Sequence, residues 1–173
     1  MQRFALFVAS VALLVFSIPD FAQEPTVQLC VASMQVNGGG SDLAGQNLLV
    51  KFLNKEKPNQ ALSIANVPIP QAAPEKALAS AKGKSCDYVV TTNQTESHSA
   101  ASYNTGRYSP VNAPTFFVTT AYKLTKVSDG SEVSGGQFKA SDSGSEQNAI
   151  AFTMKKIADK TTEAIRKAGP LAK

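Results

Sequence analysis

The sequence predicts one α/β domain: a βαβαβ parallel core, extended by an antiparallel hairpin into a mixed five-stranded sheet, and a C-terminal helix. Three observations lead there. In the first half, short β-prone apolar runs alternate with stretches of helical period, the order of a parallel sheet with right-handed crossovers. In the second half, clean period-2 alternation surrounds Asp129-Gly130, a hairpin turn signal. The chain then returns to a helical stripe that stops at Gly169-Pro170.

Taken in order, TVQLCVAS over residues 26–33 is apolar in both alternating sets, Val27/Leu29/Val31 and Cys30/Ala32, and predicts a strand buried on both faces in mid-sheet. Asn37-Gly38-Gly39-Gly40 breaks the chain. Ser41 is a good N-cap with Asp42 in the first turn, and Leu49, Phe52 and Leu53 mark the first helix, which ends near Lys57-Pro58. A second strand is predicted over residues 61–67, where Leu62 and Ile64 alternate with small or polar neighbours. Residues 70–82 form an Ala-rich second helix, with Pro74 near its start and Gly83 beyond its end. A third strand runs from Cys86 to about Glu96.

Ser97 to Pro114 is rich in Ser, Asn, Ala and Pro without periodicity and predicts a long flexible connection. Thr115 to Val127 sets Phe116, Val118, Tyr122 and Leu124 against Thr119, Lys123 and Thr125, a strand with one wet side. Its hairpin partner spans residues 132–140, with Gly135-Gly136 marking a bulge or bend. Ser143-x-x-Glu146 is a capping box that opens the last helix, whose stripe is Ile150, Met154, Ile157, Ala158 and Ile165.

The compartment is written at the amino terminus. Arg3 precedes an uncharged apolar run, Phe4 to Ile18, and the pattern of residues 1–22 is that of a signal peptide. The run is shorter than the ~20 apolar residues of a membrane span, so no transmembrane segment is expected in the mature chain. Cleavage after Ala22 leaves Asp20 at the −3 position, so retention as an uncleaved anchor is the alternative. Cys30 lies well past the run behind Leu29, which argues against lipidation. Residues 23–173 are then one domain, periplasmic or secreted, of about 150 residues, enough for a single core. Cys30 and Cys86 are the only cysteines. In an oxidising compartment they read as a disulfide, worth on the order of 4 kcal/mol through denatured-state entropy; two buried free thiols are the other reading.

Composition excludes more than it assigns. The net charge is +4 with no run of five basic residues and no Trp, so nucleic acid is not an expected partner. Gly38-Gly39-Gly40 precedes a helix, but Leu43 stands where a dinucleotide fingerprint needs its third glycine and Asp42 would repel an anion, which leaves a plain turn. Gly83-Lys84-Ser85 lacks the first glycine of a phosphate loop, Leu78 standing there. His98 is the only histidine and reads as a solvated loop residue; no G-x-S-x-G elbow, metal-ligand spacing or cofactor motif accompanies it. The expectation is no catalytic residue, no metal and no cofactor. One segment carries recognition chemistry: Tyr103, Arg107 and Tyr108 combine aromatic area with a guanidinium in the 97–114 connection, against the alternative of a loop that binds nothing.

A family pattern enters at the third strand. Cys86-Asp87-Tyr88-Val89-Val90 after an alanine-spaced helix, then Ala121-Tyr122-Lys123-Leu124 running into Ser128-Asp129-Gly130-Ser131, resembles bacterial envelope domains related to the TolB amino-terminal domain, the curli-secretion channel subunit and the lipoprotein activators of penicillin-binding proteins. The resemblance spans residues 26 to about 168. It implies a non-enzymatic envelope domain that binds a protein or another envelope macromolecule. The rival class is a small secreted hydrolase or ligand-binding enzyme whose site is assembled from residues distant in sequence.

Overall fold

A computed structural model describes residues 26–37, 39–55, 63–100 and 114–169. Seven strands form one sheet: β1 (Thr26–Ala32), β2 (Met34–Val36), β3 (Ser41–Asp42), β4 (Ser63–Ile69), β5 (Tyr88–Ala100), β6 (Thr115–Lys126) and β7 (Glu132–Asp142). Three helices accompany them: α1 (Leu43–Lys55), α2 (Pro74–Gly83) and α3 (Glu146–Ala168). The long strands lie in the order β4-β1-β5-β6-β7, parallel across β4, β1 and β5 and antiparallel from β5 to β7. β2 continues the line of β1 beside β5, and the two-residue β3 closes on β2. The mixed sheet and C-terminal helix stand as the sequence implied, with β2 and β3 added.

The doubly apolar pattern of β1 has its cause in this order. Val27, Leu29 and Val31 join the larger core under α1 and α3, with Tyr88, Val90, Leu124, Met154 and Ile157. Cys30 and Ala32 face the other way, into a smaller core under α2 with Ile69, Ala77, Ala81, Val89 and Val127. Gln46 of α1, buried inside its helix stripe, donates from Nε2 to the Val31 and Ile69 carbonyls at 2.7 and 2.8 Å, tying the helix to the carboxyl ends of two parallel strands.

Several boundaries move for identifiable reasons. Ser41 is not the cap of α1, because it pairs with Gln35 in the β2–β3 ladder; Asp42 caps instead, accepting from Ala44 and Gly45 N–H at 2.8 and 3.1 Å. Ser143 is likewise displaced by Ser145, whose hydroxyl accepts from Asn148 N–H. Asp142, at the end of β7, takes the N–H groups of Gly144 and Ser145 and so delays the helix. β4 continues through Pro68 to Ile69, which an edge strand tolerates because a proline costs it no ladder bond on the open side.

The largest revision concerns the connection predicted over 97–114. Residues 97–100 belong to β5 and pair with β6, Ser97 with Val118 and Ala100 with Thr115, past a bulge between Gln94 and Glu96. Alternation of polar and small side chains concealed this strand, since residues 95–100 are all exposed and carry no apolar signal. Residues 1–22, where a signal peptide is expected, lie outside the described residues.

Candidate binding face of the sheet

Two helices cover one face of the sheet and only one covers the other. α3 packs on β6 and β7 and beside α1, whereas α2 lies on β4 and β5. α2 reaches the end of β6 nearest the Asp129-Gly130 turn; among the described residues, no helix makes an extensive contact with the rest of the second face of β6 and β7. Register places on that barer face Thr91, Asn93, Glu96 and His98 of β5, opposite Lys123, Ala121, Thr119 and Phe117 of β6; Thr91 and Thr119 are buried among their neighbours, while Glu96, His98 and Phe117 stand out. Gln137, Lys139 and Ser141 of β7 follow, opposite Ala121, Thr119 and Phe117.

The bulge in β5 determines the grouping. Without it, Glu96 and His98 would follow Gln94 onto the α3 side, because side chains alternate with period two. Gln94 does point there, its Nε2 donating to Glu146 Oε1 at 3.2 Å. The extra residue is Thr95, whose carbonyl accepts from Asn37 Nδ2 at 3.0 Å and whose hydroxyl accepts from Gln137 Nε2 at 3.2 Å. Beyond it, Ser97 returns to the α3 side, where its hydroxyl donates to Glu146 Oε1.

On the bare face a relay forms. Thr119 Oγ1 donates to Glu96 Oε2 at 2.9 Å, and Glu96 Oε1 faces His98 Nδ1 at 3.3 Å. The His98 ring stacks on Phe117 with centroids 5.1 Å apart and planes 16° from parallel. The carboxylate and the ring together orient the imidazole, so that Nδ1 is directed to Glu96 and Nε2 is left to meet an incoming group. Glu96 and His98 are half exposed, and Phe117 is one of the exposed large apolar residues at 37 %. An aromatic edge, an oriented imidazole and flanking amides make a surface suited to recognition. It is shallow: the nearest depression, by Asn93, Ala121 and Lys123 at the start of α2, holds about 160 Å³.

His98 is therefore not a solitary loop residue. The pairing depends on β5–β6 register across 19 to 23 residues of sequence and on the bulge. The one local signal was Glu96-x-His98 on an extended path.

A second feature is the groove between the amino ends of α1 and α3, about 700 Å³, lined by Asp42, Asn47, Lys51, Gln94, Glu146 and Asn148. Its carboxylates are already engaged, Asp42 with the first N–H groups of α1 and Glu146 with Gln94 and Ser97. At the glycine turn, Val36 N–H donates to the Gly40 carbonyl and Gly39 N–H to the Val36 carbonyl, each at 3.1 Å, and Gly39 adopts φ +85°. Among the described residues no three His, Cys, Asp or Glu side chains gather as metal ligands.

Cys30 and Cys86 are joined by a disulfide, their Cα atoms 5.8 Å apart. Cys30 is mid-strand in β1 and Cys86 lies in the turn between α2 and β5, so the bond stitches α2's exit to the centre of the sheet. Tyr103, Arg107 and Tyr108 lie outside the described residues. Their segment is carried by the end of the β5–β6 ladder at Ala100 and Thr115, two residues past the His98–Phe117 pair.

No protein-family model matches this chain, and no curated protein matches it. Solved structures do. The PelC dodecamer from Paraburkholderia phytofirmans has a subunit that aligns over 79% of this chain and 87% of its own, at 18% identity and a TM-score of 0.51. The protein XCC0632 from Xanthomonas campestris aligns over 84% of this chain and 89% of its own, at 10% identity and a TM-score of 0.52. The likeness is one of fold. It selects no family.

Proposed function

We propose that this chain is an exported, non-enzymatic domain of the bacterial envelope, periplasmic or secreted, that works by binding and assembly. Its contact surface is the bare β5–β6–β7 face around His98 and Phe117, together with the connection bearing Tyr103, Arg107 and Tyr108. The observation that carries this reading is an exposed Phe117 backed by an oriented His98, on a part of the sheet that no described helix covers. The disulfide supports an oxidising compartment, and no described helix is long and apolar enough to cross a membrane. The dodecameric state of PelC supports assembly as a use to which this fold is put.

The test is a cross-linked pull-down from the native envelope with the wild-type chain and with Phe117→Ser/His98→Ala. Both side chains stand at the surface, so the double variant should keep its melting temperature and lose its partner. Unchanged capture by the double variant would remove the bare face from the reading. Sedimentation of the pure protein would show whether the partner is a second copy.

One observation favours the rival, a small hydrolase: the Thr119–Glu96–His98 relay could serve a general base at Nε2. Hydrolysis of a chromogenic ester that disappears in His98→Ala would establish it. The binding reading expects no such activity.

A further inference from the structure

We propose that the Cys30–Cys86 disulfide is a redox latch for α2: a dithiol enters at Cys86, and opening the bond releases α2 while the α1–α3 side of the sheet stays folded. Little else holds α2. Its buried residues are Ala77 and Ala81, with Leu78 partly covered, over a core of Cys30, Ala32, Ile69, Val89 and Val127. α3 by contrast buries Ile150, Met154, Ile157 and Ile165 along its length. Apolar attraction scales with the area removed from water, and alanine offers the least of any side chain that has one.

Each end of α2 also carries one local cost. Its N-cap, Ala73, has no side chain able to cap, and its last turn leads into Ser85 at φ 55°, a left-handed conformation that costs a residue with a Cβ. Cys86 follows immediately, its N–H donating to the Ala81 carbonyl at 3.0 Å. The covalent bond thus acts one residue beyond a strained turn, where release lets the backbone relax.

The two cysteines are both buried but not equally placed. Cys30 is fully enclosed, whereas Cys86, 5 % exposed, also lines a surface depression of about 380 Å³ with Lys82, Ser85, Asp87, Val127 and Ser128. The thiolate of the dithiol attacks Cys86 Sγ, a new S–S bond forms, and the Cys30 sulfur leaves with the electron pair and takes up a proton. The second thiol of the reagent then closes on the first, freeing Cys86 as a thiol; the protein is reduced by two electrons and the dithiol becomes a disulfide.

Hydrogen exchange of the full chain, oxidised and after dithiothreitol under native conditions, tests the latch. Peptides spanning residues 74–87 should exchange about tenfold faster or more after reduction, as for a locally opened unit, while those spanning 146–168 stay unchanged. Equal acceleration of both regions, no acceleration of either, or a bond that resists dithiothreitol until the protein is denatured would each overturn it. The route of entry is tested by maleimide labelling of Cys30→Ser, which leaves Cys86, and Cys86→Ser, which leaves Cys30. Cys86 should react about tenfold faster or more, following its place beside the surface depression; equal rates refute entry at Cys86. If either variant fails to fold, mapping the mixed disulfide that glutathione forms with the wild-type chain replaces it, with Cys86 expected and Cys30 refuting.

Discussion

Gln28 and Asp87 exchange hydrogen bonds in both directions: the Gln28 N–H donates to Asp87 Oδ2, and the Asp87 N–H donates to the Gln28 carbonyl, each at 2.8 Å. The regular β1–β5 ladder begins only at Leu29 and Tyr88, so the Asp87 carboxylate supplies the partner that the ladder has not yet provided. The Asp87 carbonyl in turn accepts from Val127 N–H at 2.9 Å, so one residue clamps β1, β5 and the end of β6. Asp87→Ala should cost about 1–3 kcal/mol in urea unfolding, because the Gln28 N–H loses a charged acceptor. Asp87→Asn keeps an acceptor oxygen and should cost less than half as much.

The exit of α2 offers two stabilising changes. Ser85 sits in the left-handed position of a Schellman turn, with Ser85 N–H on Lys82 O and Cys86 N–H on Ala81 O. Ser85→Gly should gain roughly 1 kcal/mol by relieving that conformation. Gly83, inside the helix, has open space where a Cβ would stand, and Gly83→Ala should gain about 0.5–1 kcal/mol. Denaturant midpoints would register both, and a loss in either case would contradict the geometry.

Acid should weaken the fold through three exposed carboxylates. The hydrogen bonds and charges of Lys160 and Lys167 draw Glu163 down to about 2. Ser131 lowers Asp129 through its side chain and backbone, and the backbone N–H groups of Ser145 and Gly144, with Asn148, lower Asp142. Each folded value lies below the unfolded one. The stabilisation is therefore present above the unfolded carboxylate range near ~4 and is lost as pH falls through the folded values. Carbon-detected NMR titration should find the Glu163 midpoint well below that of an ordinary glutamate, and Lys160→Met should raise it. High salt should raise it too, since the groups face solvent.

Tyr88 is fully buried, its hydroxyl has no hydrogen-bond partner among the described residues, and burial raises its pKa above the usual tyrosine value. Tyr88→Phe removes the orphaned hydroxyl without opening a cavity larger than an oxygen. The variant should be as stable as the wild type or more stable by about 1 kcal/mol in denaturant unfolding. A loss above that size would mean that the hydroxyl is satisfied in solution.

The connection between β5 and β6 should be replaceable. Residues 102–112 exchanged for a short Gly/Ser turn keep the Ala100–Thr115 pair, and shortening the loop changes its closure entropy by less than ~1 kcal/mol per halving. The melting temperature should stay within a few degrees, while co-purification with the partner is lost. Retained binding would move the contact wholly onto the His98–Phe117 face.

Periodicity and turn chemistry made the element order, the hairpin at Asp129-Gly130 and the central place of β1 readable from the sequence alone. Those features rest on local repeats of apolar residues, and burial on both faces leaves a mark at each position of the strand. The caps were not readable to the residue. Ser41 and Ser143 have the right chemistry, but strand pairing claimed one, and the Asp142 turn moved the start of α3 past the other. The last residues of β5 carry no apolar pattern and were visible only through their pairing with β6. The His98 relay needed both that register and a one-residue bulge, because a slip of one position turns every following side chain to the opposite face. Local sequence determines which element forms; which side chains meet across the sheet is decided by register, a property of strands brought together from distant parts of the chain.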